Sequence, residues 1–181
     1  MYLPYFCIHK KYSIMKYIIF GLFCLLSINS NGQKMNNANL VVNQLFIATD
    51  QQNWETVKAC FSEKVKLDYS SMSGNPSAML SPNEIVAAWK TILPGFTHTH
   101  HQLGNFMETQ SANGVHVFCY GTASHYLESE NGNIWTVVGS YDFDLEKQHG
   151  NWKITSMTFN FKYQEGNTKL AAQAMENVKS K

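Results

Sequence analysis

The sequence contains no arginine: all 14 of its basic residues are lysines, set against 13 acidic residues. Eleven of these lysines and all 13 acidic residues follow residue 32, so the formal charge from residue 33 onward is −2. Guanidinium is the preferred bidentate partner of phosphate and carboxylate groups, and a chain without it is poorly equipped for nucleic acid or polyanionic substrates. We therefore expect no nucleic-acid partner and a neutral or weakly polar ligand.

The sequence also lacks an apolar run long enough to cross a bilayer. The apolar run at residues 17–28 directly follows Lys16 and precedes small and polar residues, with a suitable cleavage site at residues 30–32. This order is typical of a secretory signal peptide. We predict a signal peptide over residues 1–32 whose true start is Met15, an exported (periplasmic or secreted) product, and no membrane span in the mature protein.

Cysteine is scarce as well, with Cys60 and Cys119 the two that follow the predicted signal peptide. Two cysteines in an oxidising compartment could pair, but residues 33–181 suffice for one domain with a substantial core, which does not need a disulfide. The same length is too short for two domains. We leave the pairing open and favour two buried free thiols.

The first half of the predicted domain reads as helical, with one strand. Apolar residues recur at helical spacing up to about Phe61, which predicts two helices, or one bent helix, broken around TDQQN. The strand KVKLDYS follows. In SPNE, Ser81 is suited to be an N-cap, Pro82 the first helical residue and Glu84 the capping-box partner, so a helix should begin there and end at Pro94-Gly95.

From Thr97 to about Tyr163, apolar and polar residues alternate with period two, interrupted by the turn-forming stretches SANG, SENGN and QHGN. This predicts four long antiparallel strands joined as a meander, followed by a polar helix. The order of elements indicates an α+β fold in which a curved sheet wraps the helices on one face. Such a cone-shaped domain can enclose a pocket.

The period of two also assigns the strand faces. The residues that we expect to bind substrate lie on the apolar faces of the last three strands: Cys119, Tyr141, Phe159 and Phe161. Gly121, Ala123 and Gly139 lie on the same faces and are too small to fill a sheet interior. Either the helices pack very close there or a ligand takes the space.

Three histidines lie within the stretch FTHTHHQLGNF, residues 96–106. His101 shares a strand face with Leu103 and Met107, whereas His98 and His100 lie on the opposite face, unless a β-bulge near Pro94-Gly95 or Gly104 shifts the register. A metal site at His98 and His100 is one alternative, but no cysteine or carboxylate at matching spacing completes the ligand shell. We predict two exposed strand histidines, no metal and no cofactor.

His101 and His125 both fall on otherwise apolar faces of neighbouring strands. Each taken singly could be a core histidine bonded to the backbone, but two imidazoles together can carry out proton transfer near neutral pH. Asp50 is the candidate carboxylate that orients one of them; the alternative is that it caps the second helix. Tyr69 is either a plain strand aromatic or a hydroxyl donor to a carbonyl oxygen. The apolar neighbours of Cys119 favour an inert thiol over a nucleophile.

Together, the segments TDQQNW, LDYSSM, SPNEIVAAWK, HHQLGN, ASHYL and GNWKIT resemble the SnoaL-like branch of the NTF2-like superfamily, and within it the scytalone dehydratases, over nearly all of residues 36–165. The resemblance implies a cone-shaped fold and an Asp50–His101 general base. It also implies that His125 is an acid or proton shuttle, and that tyrosines such as Tyr69 polarise a carbonyl through a bound water. Dehydration, isomerisation and cyclisation of small ring ketones occur in such folds.

The chain departs from the dehydratase pattern at three positions. Thr49 stands where the dehydratases have a tyrosine, and Gly139 and Tyr141 fall where they have a serine and an asparagine. These positions belong to the carbonyl-binding set of the dehydratases. We therefore expect a different substrate even where the base is retained.

The sequence thus predicts a dehydratase or isomerase acting on a small apolar cyclic ketone or phenol. In this hypothesis His101 removes a proton next to the carbonyl, His125 donates to the leaving hydroxyl and Tyr69 stabilises the enolate. The alternative is a non-catalytic exported domain that binds a small apolar molecule or a partner protein. A homodimer through the open sheet face is compatible with either. The direction in which Asp50 points discriminates between the two functions.

Overall fold

The computed structural model of the protein describes residues 38–180. The predicted signal peptide and Met15 lie outside these residues. In chain order the elements are helix α1 (Ala38–Asp50), helix α2 (Trp54–Cys60), strand β1 (Phe61–Asp68), helix α3 (Ser70–Ser73), strand β2 (Ala78–Leu80), helix α4 (Pro82–Lys90), a 3₁₀ turn (Leu93–Gly95), strands β3 (His98–Gln110), β4 (Gly114–Tyr126), β5 (Ile134–Gln148) and β6 (Asn151–Gly166), and helix α5 (Leu170–Lys179). None of the helices within residues 38–180 has the length and apolar character to cross a membrane.

The strands form one curved, six-stranded mixed sheet in the order β2-β1-β6-β5-β4-β3. Strands β3 to β6 pair antiparallel in sequence order, which confirms the predicted four-stranded meander and the α+β class. Strand β1 joins the other side of β6 and runs parallel to it. Helix α1 lies on the concave face of the sheet and contacts β3, β4 and β6.

Local sequence signals explain where the helices begin. Ser81 and Glu84 form the predicted capping box: the Ser81 backbone N–H donates to the Glu84 carboxylate at 2.7 Å, and the Glu84 N–H donates to the Ser81 hydroxyl at 3.3 Å. The predicted break in the first helical region separates α1 from α2. Asn53 caps α2 by accepting the Thr56 N–H at 3.2 Å.

The core lies between α1 and the concave sheet face. Its fully buried side chains include Val42 and Leu45 from α1 and Val117 and Phe143 from the sheet. Val117 and Phe143 lie on the faces of β4 and β5 that the alternation of period two assigned to the inside of the sheet. The apolar pattern therefore sets both the strand register and the side of the sheet that the helices cover.

Two aromatic rings occupy the space opposite the strand glycines, where we had expected close helix packing or a ligand. A Cβ added at Gly121 would lie 2.4 Å from the Tyr141 ring, and one added at Gly139 would lie 2.5 Å from the Phe159 ring. An aromatic side chain laid across a glycine of a neighbouring strand covers the exposed backbone. The two glycines thus let the rings lie flat against the sheet.

A β-bulge interrupts β3 beyond the histidine cluster. The register with β4 shifts between Gly104 and Met107, and Asn105 adopts a positive φ of 55°. Phe106 consequently packs against the core, and Met107 is 65% exposed. The prediction that Met107 shares the inner face was wrong for this reason, but His101 precedes the bulge and keeps its predicted face.

Candidate active site

A carboxylate and an imidazole meet on the concave face of the sheet. Asp50 is the last residue of α1 and His101 lies near the start of β3; the Asp50 Oδ1 atom is 2.7 Å from the His101 Nδ1 atom. The backbone N–H of His101 also donates to the Asp50 Oδ2 atom at 2.8 Å. The Asp50 side chain is only 17% exposed and the His101 side chain only 11%. Asp50 therefore points at the histidine, and the alternative in which it caps α2 is wrong because Asn53 fills that role.

Thr99 completes the environment of this carboxylate and was missed by the sequence analysis. Its hydroxyl donates to the Asp50 Oδ1 atom at 2.8 Å. Thr99 lies two residues before His101, so the period of two could have placed both side chains on the same strand face. Three donors from one short segment of β3 thus hold the carboxylate in a single orientation.

These contacts keep Asp50 ionised. Burial raises the pKa of this carboxyl, but the hydrogen bonds and charge of His101 and the hydrogen bond of Thr99 outweigh it and hold the pKa below the usual 3.8. A carboxylate can only accept, so the Nδ1 atom of His101 carries the proton that it donates. In the neutral ring, Nε2 then presents a lone pair, which is the arrangement a general base requires.

His125 lies beside His101 in a pocket of aromatic rings. The two imidazole centroids are 6.0 Å apart and the rings are nearly perpendicular, at 84°. His125 stacks on Trp135 at 4.7 Å and packs against Phe96 at 4.8 Å. Its Nδ1 atom lies 3.2 Å from the backbone oxygen of Trp135, and the residue is 6% exposed. The structure thus brings together Asp50, His101 and His125.

The surroundings of His125 keep its ring neutral. Burial, followed by the neighbouring His101, lowers the pKa of His125 to about 4. A carbonyl oxygen can only accept, so Nδ1 carries the proton and Nε2 has a lone pair. The neutral ring can accept a hydrogen bond through Nε2, whereas the predicted donation to a leaving hydroxyl needs the protonated ring and stays a prediction.

The Nε2 atoms of both histidines face accessible space. Among residues 38–180, neither atom has a protein hydrogen-bond partner, and neither belongs to the buried polar atoms that lack one. A buried nitrogen without a partner would be energetically costly, so solvent or a ligand must satisfy these two. Each of these Nε2 atoms therefore presents a lone pair to solvent or to a ligand.

A row of aromatic rings leads away from this site. Phe46 lies 5.0 Å from His101 and 5.0 Å from Tyr141, whose ring is 4.8 Å from that of Phe159. Tyr69 comes last in the row, 5.9 Å from Phe159. Tyr69 follows the end of β1 and precedes α3, so it is not a strand residue. Within residues 38–180, the ring contact of Tyr69 is therefore to Phe159 and not to either site histidine.

Both tyrosines in this row stay protonated at neutral pH. Burial raises the pKa of Tyr69, and burial together with the nearby Tyr69, Cys119 and Asp50 raises that of Tyr141. Within the described part of the chain neither hydroxyl has a hydrogen-bond partner, and neither is among the buried unpartnered atoms. Both hydroxyls are therefore available as donors. Tyr141 is the nearer of the two to the Asp50–His101 pair, since Asp50 is among the groups that raise its pKa.

The other two predicted substrate-binding residues are Cys119 and Phe161. Cys119 is fully buried, and burial followed by Asp142 raises its pKa to about 12, as expected of an inert thiol. Burial raises the pKa of Cys60 to about 11, and both cysteines are free. Phe161 is partly buried and packs against the core.

The outward-facing histidines of β3 are exposed, as predicted. His98 and His100 lie on the convex face, away from Asp50. Over residues 38–180, no group of three or more histidine, cysteine or acidic side chains is arranged to hold a metal ion. These two histidines therefore take no part in the site.

A depression of about 350 Å³ lies near the site, between the 3₁₀ turn and α5, and is largely open. Phe96, which packs against His125, lines it together with Thr97, Leu127 and Asn177. None of the predicted site residues lines this depression.

Comparison with known proteins agrees with this fold. Residues 38–158 match the SnoaL-like domain family. The Kfla4162 protein from Kribbella flavida is similar in structure, with a TM-score of 0.69 at 21% identity, over 75% of this chain and 94% of that one. A candidate scytalone dehydratase from Novosphingobium aromaticivorans DSM 12444 has a TM-score of 0.62 at 18% identity, over 76% and 89% of the two chains.

A third similar structure is the hexachlorocyclohexane dehydrochlorinase LinA-type3 from Novosphingobium barchaimii LL02, with a TM-score of 0.59 at 13% identity, over 71% of this chain and 86% of that one. No curated protein matches the chain in sequence. At these identities the structural likeness shows the fold alone. The family match covers most of the described residues, and the chain therefore belongs to the SnoaL-like domain family and has the NTF2-like fold.

Proposed function

We propose that this protein is an acid/base enzyme of the dehydratase or isomerase type that acts on a small, largely apolar cyclic ketone or phenol. The observation that carries the proposal is the buried Asp50–His101 pair, whose outer ring nitrogen is free and faces accessible space. A plain core histidine would have both nitrogens satisfied by the protein. The alternative of a non-catalytic binding domain does not require this arrangement.

In the proposed reaction His101 takes a proton from the carbon next to the carbonyl. The electron pair of the broken C–H bond moves into the enolate, whose negative charge needs hydrogen-bond donors. The hydroxyls of Tyr141 and Tyr69 can supply them, since burial keeps both protonated. Asp50 stabilises the imidazolium that forms at His101 and holds the ring in the correct tautomer.

The names of two similar structures support this class of chemistry. A dehydratase and a dehydrochlorinase both catalyse eliminations, one of water and one of hydrogen chloride. A base that removes a proton from carbon serves either elimination, and it also serves isomerisation. The aromatic row of Phe46, Tyr141 and Phe159 supports an apolar ring as the ligand.

Proton exchange into solvent tests the proposal without knowledge of the product. Cyclohexanone, indanone and tetralone would be incubated with the protein in D₂O, and loss of the signal of the proton next to the carbonyl followed by NMR. We expect exchange above the buffer rate for at least one ketone, and a loss of roughly 10²- to 10⁴-fold in His101→Asn. His100→Asn, on the exposed face of the same strand, is the matched control and should keep the wild-type rate.

Two results would move the assignment to a binding domain. One is that no ketone exchanges faster with the wild-type protein than in buffer. The other is that His101→Asn exchanges as fast as the wild type.

Export and the homodimer through the sheet stay predictions. Met107 and Tyr120, which are 65% and 47% exposed, lie on the face that such a dimer would cover.

A further inference from the structure

The carboxylate oxygen that contacts the His101 ring also has a second donor. The Asp50 Oδ1 atom accepts the Nδ1–H of His101 at 2.7 Å and the hydroxyl of Thr99 at 2.8 Å. The other oxygen, Oδ2, accepts the backbone N–H of His101 at 2.8 Å. Because a carboxylate can only accept, Thr99 must donate its single hydroxyl proton to Oδ1. Two donors therefore share the negative charge of one oxygen.

The position of the Thr99 hydroxyl is set by regular secondary structure. Thr99 lies in β3 and pairs with His125 of β4, while His101 pairs with Ala123. Side chains two residues apart on a strand project to the same face. The branched threonine side chain has few rotamers on a strand, which favours one hydroxyl position. The hydroxyl and the imidazole are thus held side by side, where both reach the carboxylate at the end of α1.

The second donor changes how strongly Asp50 attracts a proton toward His101. A hydrogen bond donated to a carboxylate stabilises its charge and makes the accepting oxygen less basic. Burial raises the pKa of Asp50, and the donors from His101 and then from Thr99 outweigh the burial. Without the Thr99 hydroxyl, the charge of Oδ1 would be available to the His101 ring alone. The protonated ring would then be more stable.

The other titratable side chains around the pair are uncharged at neutral pH. His125, from β4, has its ring centroid 6.0 Å from that of His101, and burial followed by His101 lowers the pKa of His125 to about 4. Burial raises the pKa of Tyr141, from β5. Phe46, from α1, packs against His101 at 5.0 Å and carries no charge. Protonation of His101 therefore depends on Asp50 and on the donors that Asp50 accepts.

We propose that Thr99 is a positioning residue that sets the pH range of the Asp50–His101 pair: by sharing Oδ1, its hydroxyl weakens the attraction of Asp50 for a protonated ring and leaves His101 free to act as a base at lower pH. The inference rests on the proposed function for the reaction that His101 serves. The protonation of the His101 ring itself can be measured without any substrate.

Thr99→Val tests the role of the hydroxyl, since valine keeps the branched shape and removes the donor. Protonation of the His101 ring is followed by NMR of the ¹⁵N-labelled protein, and ketone exchange in D₂O is measured across the same pH range. We expect the pH of half-protonation and the acidic limb of the exchange profile to move up together, by roughly half to one pH unit. The Nδ1–H resonance of His101 should move downfield, because its hydrogen bond to Oδ1 strengthens.

Three further variants separate charge sharing from a purely structural role. Thr99→Ser keeps the donor and should restore the wild-type values. Thr99→Ala, which also lacks the hydroxyl, should show the same shift as Thr99→Val and replaces it if valine disturbs the fold. Thr109→Val, the same change at an exposed position of β3, should have no effect. If Thr99 were only a structural support, Asp50 would loosen, the Nδ1–H resonance would move upfield, and exchange would slow at every pH without a shift of the acidic limb.

The outcomes for Thr99 and for the proposed function are distinct. An unchanged or lowered pH of half-protonation in the variants without the hydroxyl overturns the role of Thr99, as does failure of Thr99→Ser to restore it. Absence of exchange with every ketone overturns the proposed function alone. The ring titration then decides the role of Thr99 by itself: an upward shift in Thr99→Val supports the shared oxygen, and no shift rejects it.

Discussion

The two faces of the sheet each carry a histidine held by aspartate, and the two arrangements differ in what they leave free. On the concave face, His101 contacts Asp50 through Nδ1 and has Nε2 open. On the convex face, His116 lies between Asp144, 3.0 Å from its Nδ1 atom, and Asp142, 3.0 Å from its Nε2 atom. The inner pair is nearly buried, whereas the His116 side chain is 37% exposed.

A candidate base and a structural ion pair differ in whether one ring nitrogen stays free. The hydrogen bond to Asp144 raises the pKa of His116, burial opposes this, and Asp142 adds to the rise. A ring that donates through both nitrogens is a cation and has no lone pair to offer a substrate. A neighbouring carboxylate is therefore not enough to make a histidine a base; one nitrogen must also stay free.

The largest expected effect is on proton exchange when the inner carboxylate is altered. In Asp50→Asn the amide can donate toward Nδ1 of His101, which favours the tautomer with the proton on Nε2 and removes the lone pair. We expect the ketone exchange rate to fall by roughly 10²- to 10⁴-fold. Asp144→Asn on the convex face should leave the rate unchanged. Equal losses in the two variants would contradict the comparison.

The next effect is on stability at mildly acidic pH. His125 has a folded pKa of about 4 against 6.5 unfolded, so the unfolded chain binds the proton more readily between these values. The free energy of unfolding should fall as the pH drops from about 6.5 toward 4, by about 3 kcal/mol relative to His125→Phe. Urea titrations across this range measure it, with His100→Phe as control. Parallel pH profiles of wild type and His125→Phe would show that the ring is not held neutral.

A smaller effect is expected from filling the space under the aromatic row. An alanine Cβ at Gly121 would lie 2.4 Å from the Tyr141 ring, which is itself packed against Phe46 and Phe159. Gly121→Ala should therefore reduce the free energy of unfolding by about 1–3 kcal/mol. Gly104→Ala, where no atom lies within 4 Å of the added Cβ, should change it by less than about 0.5 kcal/mol. Denaturant unfolding of both variants decides whether Tyr141 is held as tightly as described.

The smallest effect concerns the convex pair. Because the pKa of His116 is raised above 6.5, its ion pairs stabilise the fold below that pH and lose their contribution as the pH rises through the folded value. His116→Gln should therefore be less stable than the wild type at pH 6, by under about 1 kcal/mol for a pair this exposed. The difference should shrink toward pH 9. A difference that grows with pH would have the wrong sign for a cation held between carboxylates.

Much of the fold was predictable from the sequence because its signals are local. The capping box at Ser81 and the turns between the long strands depend on neighbouring residues, and period two assigned the buried faces of β4 and β5. A bulge near Gly104 was left open as an alternative, since it needs only one extra residue and leaves no clear break in the alternation. It displaced Met107 but spared His101.

The site was predicted in part. Asp50, His101 and His125 lie close together in the structure. Both the resemblance and the assignment of the strand faces had predicted this. Thr99 was missed because a threonine on a strand is unremarkable until its partner is known. The protonation state of His125 could not be read from the sequence, since it depends on the Trp135 backbone oxygen and on rings from two distant segments.

Whether His101 can act as a base depends on which of its ring nitrogens carries the proton. Long-range proton–nitrogen NMR spectra of the ¹⁵N-labelled protein at pH 8 distinguish a protonated from an unprotonated ring nitrogen, and His101→Asn identifies the signals. We predict that Nδ1 of His101 carries the proton and that Nε2 is unprotonated, as the contact with Asp50 requires. A neutral ring with its proton on Nε2 would contradict the account, because His101 would then have no lone pair for a substrate.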